Sequence, residues 1–393
     1  MGTLNLQTSE VLPKDIQNAK LIGRIWAPEL GGPSVVTIRE NDVIDITTSQ
    51  FSTVRDYCEL SNPVEVIDDT EGKVICSVDQ LIKNSSEEDR NIKLPWLISP
   101  VDLQAIKASG VTFVVSLLER VIEEQAMGDS KKAFSIREDI QDIIGSDLSM
   151  IKPGSDEAAK LKEELTSRGV WSQYLEVGIG PDAEIFTKAQ VLSTVGCGAN
   201  IGVHPDSGWN NPEPEVVIIA NSSGTIVGSS LGNDVNLRDI EGRSALLLGK
   251  AKDNNASAAI GPFIRLFDSE FSLEDVKRLR IGVEVQGEDG FSLIDHSSMS
   301  EISRTPESLV SATCSEHHQY PDGFALYLGT MFAPTKDRGA PGKGFTHVSG
   351  DIVTIHNDRL GKLINTVRPT SQCNPWVFGT RALITNLAGR GLL

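Results

Sequence analysis

The chain has 393 residues, 39% of them apolar and 5% aromatic, with a formal net charge of -18. That length suffices for a large core, or for two domains of unequal size. The negative balance argues against nucleic acid or an anionic membrane as partner, since both are polyanions, and favours a small ligand.

Met1 to Lys14 lacks a basic stretch followed by an apolar run, so no leader is expected, and no segment approaches a transmembrane span. Residues 21–26, 34–39 and 43–46 read as short strands, with Gly31-Gly-Pro33 and Glu40-Asn-Asp42 as turns. They suggest a small β-rich N-terminal domain over residues 1–94. Residues 83–93 are polar and read as an exposed linker. A second, larger domain is expected over 95–393. Ser99 is placed to cap a helix that starts at Pro100 and stops at Gly110. Residues 111–117 read as a buried strand or the start of an apolar helix, and 118–127, 130–144 and 156–168 as helices with solvated charged faces. Beyond Trp171, short apolar runs alternate with Gly, Pro and Asn. Residues 175–177, 184–187, 216–220, 225–231, 280–285, 291–294, 325–328 and 351–355 are strand candidates, and 244–250, 273–276 and 306–314 helical ones. The fold class is mixed and β-rich (α+β), built mainly of antiparallel hairpins.

The five cysteines are scattered and odd in number, which suggests neither a disulfide framework nor a zinc knuckle and fits a reducing cytoplasm. No two of the six histidines have ligand spacing. Adjacent His317 and His318 are expected in an exposed loop. The run Gly339-Ala-Pro-Gly-Lys-Gly344 lacks the Gly-Lys-Ser/Thr ending of a phosphate loop.

The strongest chemical signal is acidic. Glu213 and Glu215 share one face of an extended strand that continues through residues 216–220. A turn centred between Ser222 and Ser223 sets Glu215 opposite Ser230 and Glu213 opposite Gly232, with Asp234 beside them. Three carboxylates that close repel one another unless a cation or protons sit among them. An all-oxygen set suits a hard divalent metal, Mg²⁺ by preference, with Mn²⁺ as a substitute.

Around these acids the motifs resemble the fumarylacetoacetate hydrolase superfamily. They are the Glu-x-Glu pair, Asn233-Asp-Val-Asn-Leu-Arg-Asp239, Lys252, Gly261-Pro262 and Leu328-Gly-Thr330. Phe113-Val-Val-Ser-Leu-Leu-Glu119 stands in place of that family's aromatic-x-x-His-x-x-Glu segment. Trp209 to Glu215, Leu231 to Leu248, Gly249 to Ser257, Gln319 to Ala325 and Asn386 to Leu393 resemble the family's 2-keto-3-deoxy-D-pentonate dehydratases. The likeness covers nearly the whole chain and is weaker before Pro95. It implies a metal-dependent loss of water from 2-keto-3-deoxy-D-xylonate to give 2,5-dioxopentanoate, in a homodimer or homotetramer. Ser116 stands where the hydrolases have a water-activating histidine, which disfavours C–C bond hydrolysis of acylpyruvates or 2,4-diketo acids. That hydrolysis, 2-oxo acid decarboxylation and non-catalytic binding of a sugar acid are the competing readings.

The resemblance implies roles for further residues. Lys252 is the candidate base, its pKa expected to fall beside the metal; Lys250 shares its face if the segment is extended. Glu119 is the candidate general acid/base for the departing hydroxyl, and spacing does not separate it from Glu123. Thr330 and Ser116 are candidate substrate contacts, and Lys188 is expected to face the same site. Arg238 and Asp239 are expected to pair beneath the metal ligands.

Overall fold

The computed structural model describes all residues except 1–3, 134–135, 137–147, 149–150, 168, 170 and 341–343. Most of the helix expected over 130–144, and the end of that over 156–168, lie outside the described residues. Two sheets form the frame. In the larger, the strand order is Lys73–Ser77, Asp42–Asp45, Gly32–Arg39, Leu21–Ala27, Ala258–Leu266, Ile226–Asp234, Pro214–Ala220, Phe324–Tyr327, Ala105–Ser109 and Ile185–Ala189; Trp96–Ile98 also pairs with Leu21–Ala27. The smaller runs Ser292–Ser298, Arg280–Gln286, Ile352–Asn357, Gly361–Pro369 and Asn200–Val203. Among the described residues, no helix is long and apolar enough to cross a membrane.

Strand Pro214–Ala220 shows why the large sheet holds its place. Val216, Ile218 and Ala220 enter a core shared with Val283, Val353 and Leu363 of the smaller sheet. Val217 and Ile219 enter a second core on the opposite face, which also holds Tyr57 and Ile67. Alternation over two buried faces makes the run continuously apolar. Each such side chain contributes roughly 1.5–3 kcal/mol when fully buried. A third core joins the helices Val114–Gln125, Asp156–Ser167 and Gln173–Ile179. The division expected at residue 94 falls between strands of one sheet, for Leu21 and Ile22 pair directly with Arg265 and Ile264.

Several local expectations fail, each because tertiary contacts outweigh local signals. No helix follows Ser99. Ala105–Ser109 is a strand, parallel to Phe324–Tyr327. Asp102 instead caps the helix Val54–Cys58 from outside, accepting from Val54 N at 2.6 Å and Arg55 N at 3.0 Å. Residues 175–177 lie in a helix, started where Ser172 Oγ accepts from Tyr174 N at 3.1 Å. The expected linker begins buried, since Asn84 Nδ2 donates to the carbonyls of Asn91, Leu94 and Pro95 at 3.0–3.1 Å. Ala258–Leu266, a central strand, escapes notice because Gly261-Pro262 reads as a breaker. Its neighbour accommodates the proline with a register shift between Ser229 and Leu231.

The hairpin that carries the acids has a different register from the expected one. Asn221 N donates to Thr225 O at 2.9 Å, so the loop has three residues, with Gly224 at φ +80°. The Asn221 side chain ties that loop, accepting from Ser223 N and Thr225 N. A further shift falls between Ile226 and Gly228. Together they move the pairing by two residues, and Glu215 lies opposite Gly232. Asp234 N then donates to Glu213 O at 3.0 Å, which sets the third acid directly across from the first. A Cβ at residue 224 is strained at that positive φ. Gly224→Ala is expected to lower stability by about 1 kcal/mol without changing the fold, as read by urea denaturation.

Candidate active site

Glu213, Glu215 and Asp234 are buried, and each offers an oxygen within 4.8 Å of the others. Asn233 helps hold the ridge, its Oδ1 accepting from Glu213 N at 3.0 Å. Counter-charges surround the acids. Lys252 Nζ is paired with Glu213 Oε2 and lies 3.1 Å from Asp234 Oδ2. Lys188 Nζ lies 2.8 Å from Asp234 Oδ1. Arg120 Nη2 donates to Glu213 Oε1, and its Nη1 reaches Glu123 and Glu241. Glu215 makes no ion pair among the described residues; its Oε2 accepts from Gly329 N at 2.6 Å.

The electrostatics follow this asymmetry. Burial, with Asp234 and Glu213 as like-charged neighbours, pushes Glu215 well above the ordinary carboxylate range. Burial also raises Glu213, against the opposing pull of Lys252 and Arg120. Asp234 is lowered, because Lys188 and Lys252 outweigh its desolvation. The oxygen-only donor set, with one acid lacking a cationic partner, fits a hard divalent ion. Glu213, Glu215 and Asp234 are the residues that would hold it.

A small cavity of about 20 Å³ adjoins the acids, with room for roughly one water. Ser116, Arg120, Glu184, Glu241, Lys252 and Thr330 line it together with the three acids. Larger hollows beside Lys20 and Arg39, or beside Phe378 and Arg381, have no such convergence of acids.

The structure thus gathers Ser116, Thr330 and Lys252 with the three acids, and places two other expected site residues behind the cavity. Lys188 does not line it. Its ammonium is fully buried beneath Asp234 and donates to Val235 O at 3.1 Å. Glu119 does not line it either. Its Oε2 accepts from Arg238 Nη2 at 2.8 Å, and Glu123 Oε1 from Arg238 Nε at 2.7 Å. Helix Val114–Gln125 explains the division, since Ser116 and Arg120 are four apart on the cavity side and Glu119 and Glu123 four apart on the Arg238 side. Arg238 does not pair with Asp239, which accepts from Ser207 Oγ and Gly208 N. Arg238 instead stacks on Trp209, 4.3 Å from the ring centre.

Lys252 departs from expectation in its local structure. It lies on a helix, Leu248–Lys252, so a spacing of two separates it from Lys250, which pairs with Asp206 at 2.8 Å on the surface. Burial alone depresses Lys252, but Asp234 and Glu213 outweigh it and hold the ammonium above its ordinary pKa. His317 and His318 are exposed, as expected.

Arg120, Glu184 and Glu241 are absent from the sequence-based candidates. Glu184 precedes the edge strand Ile185–Ala189, and burial together with the neighbouring Glu241 pushes its pKa up to about 7. Gly110 makes room for it, since a Cβ there would come within 1.9 Å of Glu184 Oε2. Alternation along 184, 186 and 188 was the available signal, for Glu184 and Phe186 both line the cavity.

The ligand acids differ in what they support. Asp234→Asn strips the partner from fully buried Lys188, and is expected to cost about 3–5 kcal/mol in urea denaturation. Glu215→Gln, which removes the acid without an ion pair among the described residues, is expected to leave stability unchanged or raised in the same measurement.

Residues 193–368 match the fumarylacetoacetate (FAA) hydrolase C-terminal family. A probable 2-keto-3-deoxyxylonate dehydratase of Haloferax volcanii is 32% identical over 194 residues, 49% of this chain and 63% of that protein. The 2-dehydro-3-deoxy-D-arabinonate dehydratase of Saccharolobus solfataricus is 30% identical over 185 residues, 47% of this chain and 58% of that protein. The matches therefore span less than two thirds of either relative. A solved 2-keto-3-deoxy-D-arabinonate dehydratase, complexed with magnesium and 2,5-dioxopentanoate, superposes with a TM-score of 0.61 at 22% identity, covering 89% of this chain and 99% of that one. Residues 193–368 thus resemble the fumarylacetoacetate hydrolase C-terminal domain, and the chain shares its fold with the solved dehydratase.

Proposed function

We propose that this chain is a Mg²⁺-dependent hydro-lyase that dehydrates 2-keto-3-deoxy-D-xylonate to 2,5-dioxopentanoate. The observation that carries the reading is the buried trio Glu213, Glu215 and Asp234, converging on a cavity that also holds Lys252 and Glu184. Mn²⁺ as a substitute ion, and assembly as a homodimer or homotetramer, belong to the same proposal. So do the relatives' dehydratase names, which support the reaction type.

A bound Mg²⁺ supplies Lewis acidity that makes the C3 proton of a 2-oxo acid removable. The chain's own groups do the rest. Lys252, held as an ammonium between Glu213 and Asp234, sets a fixed positive charge beside the enolate that forms. In this reading it serves as an electrostatic stabiliser of that developing charge. Glu184 is the proton carrier. With a pKa of about 7, it takes the C3 proton and hands it to the departing C4 hydroxyl. One group doing both leaves it unchanged after each turnover; the elimination gives 5-hydroxy-2-oxopent-3-enoate, which becomes the dioxo acid when one C5 proton and the C5 hydroxyl proton shift to C3 and C4. Ser116 and Thr330 offer neutral hydroxyls to the substrate. Ser116 also donates to Phe113 O at 2.9 Å, and among the described residues no histidine lines the cavity, which supports dehydration over C–C hydrolysis.

The direct test supplies the metal-stripped protein with 2-keto-3-deoxy-D-xylonate, with and without Mg²⁺, and traps the product with a semialdehyde dehydrogenase. Product only with Mg²⁺ is expected; a folded, metal-loaded protein that forms none overturns the reading. Glu184→Gln should lower kcat by about 10²–10⁴-fold. The wild-type rate should fall as pH drops through about 7, because protonated Glu184 takes no proton from C3. A rate with no inflection there removes Glu184 from the proton transfer.

A further inference from the structure

The cavity is polarised. The three acids and Lys252 occupy one end, and Arg120 spans from there to Glu241, with Nη2 on Glu213 and Nη1 3.3 Å from Glu241 Oε2. Glu241 is 4% exposed, and this Oε2 makes no hydrogen bond. Glu184 lines the same cavity and makes no ion pair among the described residues. Two carboxylates beyond the metal ligands therefore face whatever extends past the metal end. In a five-carbon 2-oxo acid held at C1 and C2, C5 lies roughly 4 Å further along the chain. A hydroxyl there donates a charge-assisted hydrogen bond to a glutamate. A carboxylate there meets the like charge of Glu241 in a desolvated space, where the Arg120 guanidinium is already engaged by Glu213, Glu123 and Glu241.

We infer that Glu241 is a specificity-determining residue, which admits 2-oxo acids with an uncharged hydroxylated tail and turns away those with a second carboxylate. The inference rests on the metal-assisted 2-oxo acid reading above and names its substrate class by charge. The test uses two acids that lack a C4 hydroxyl and so undergo no dehydration, 5-hydroxy-2-oxopentanoate and 2-oxoglutarate. Both are titrated calorimetrically into the Mg²⁺-loaded protein. The hydroxy acid is expected to bind at least about tenfold more tightly, and Glu241→Gln to narrow that gap mainly by strengthening 2-oxoglutarate. Glu241→Asp, which keeps the charge, should keep the gap. Equal affinities in the wild type, or a gap that Glu241→Gln leaves unchanged, overturn the filter. Failure of both acids to bind overturns it together with the metal-site reading. A charge-dependent gap in a protein that dehydrates no sugar acid leaves the filter standing and removes only the dehydration.

Discussion

Three carboxylates buried side by side are the constraint around which this molecule is arranged. Like charges at this separation, out of water, repel too strongly to persist unaided. The chain surrounds them with Lys188 below, Lys252 beside and Arg120 above, drawn from an edge strand, a short helix and the helix Val114–Gln125. Each cation is itself buried and needs its acid as much as the acid needs it. Charge balance therefore links three parts of the chain that share no strand pairing with the acidic hairpin. Arg238 extends the network, tying Glu119 and Glu123 to Pro334 O at 3.1 Å.

This arrangement separates groups that hold the site from groups free to act. Glu119, Glu123 and Lys188 spend their charge on neighbours and hold the frame. Glu184 is raised toward neutrality by burial and by Glu241, and its carboxyl opens on the cavity. A titratable group poised near neutral pH and without an ion-pair partner is where proton transfer is cheapest. In the proposed reaction the charged Lys252 complements it by supplying a fixed field. Opposite protonation preferences thus arise within one small space, set by which neighbours each group has.

Much of this was legible in the sequence. Period-two alternation located the acidic hairpin, and the spacing of Glu213 and Glu215 placed both on one face. The register was not legible, because loop length and the bulge near Val227 are set by Gly224, Asn221 and the pairing with Ala258–Leu266. Glu119 was preferred on position along a motif, while the helix turns that residue toward Arg238 and turns Arg120 toward the cavity. Reading Ser116 and Arg120 as an i, i+4 pair would have found the arginine. The helix expected after Ser99 failed for a different reason. Its capping pattern was sound locally, but Ala105–Ser109 fills a gap in the sheet between Phe324–Tyr327 and Ile185–Ala189.

The N-terminal strands join the same hydrogen-bonded sheet as the acids, through Leu21–Ala27 and Ala258–Leu266. The site therefore has one stiff wall and one adjustable wall. Bending the first would break ladder bonds on both sides of the hairpin, so it acts as an anvil with fixed ligand positions. The second is made of Val114–Gln125, Arg238–Glu241 and Leu248–Lys252, held by side-chain charges and packing. Admitting any ligand larger than one water into that space falls to those helices. The residues that shape the tail end of the cavity, Arg120 and Glu241, ride on the part that yields.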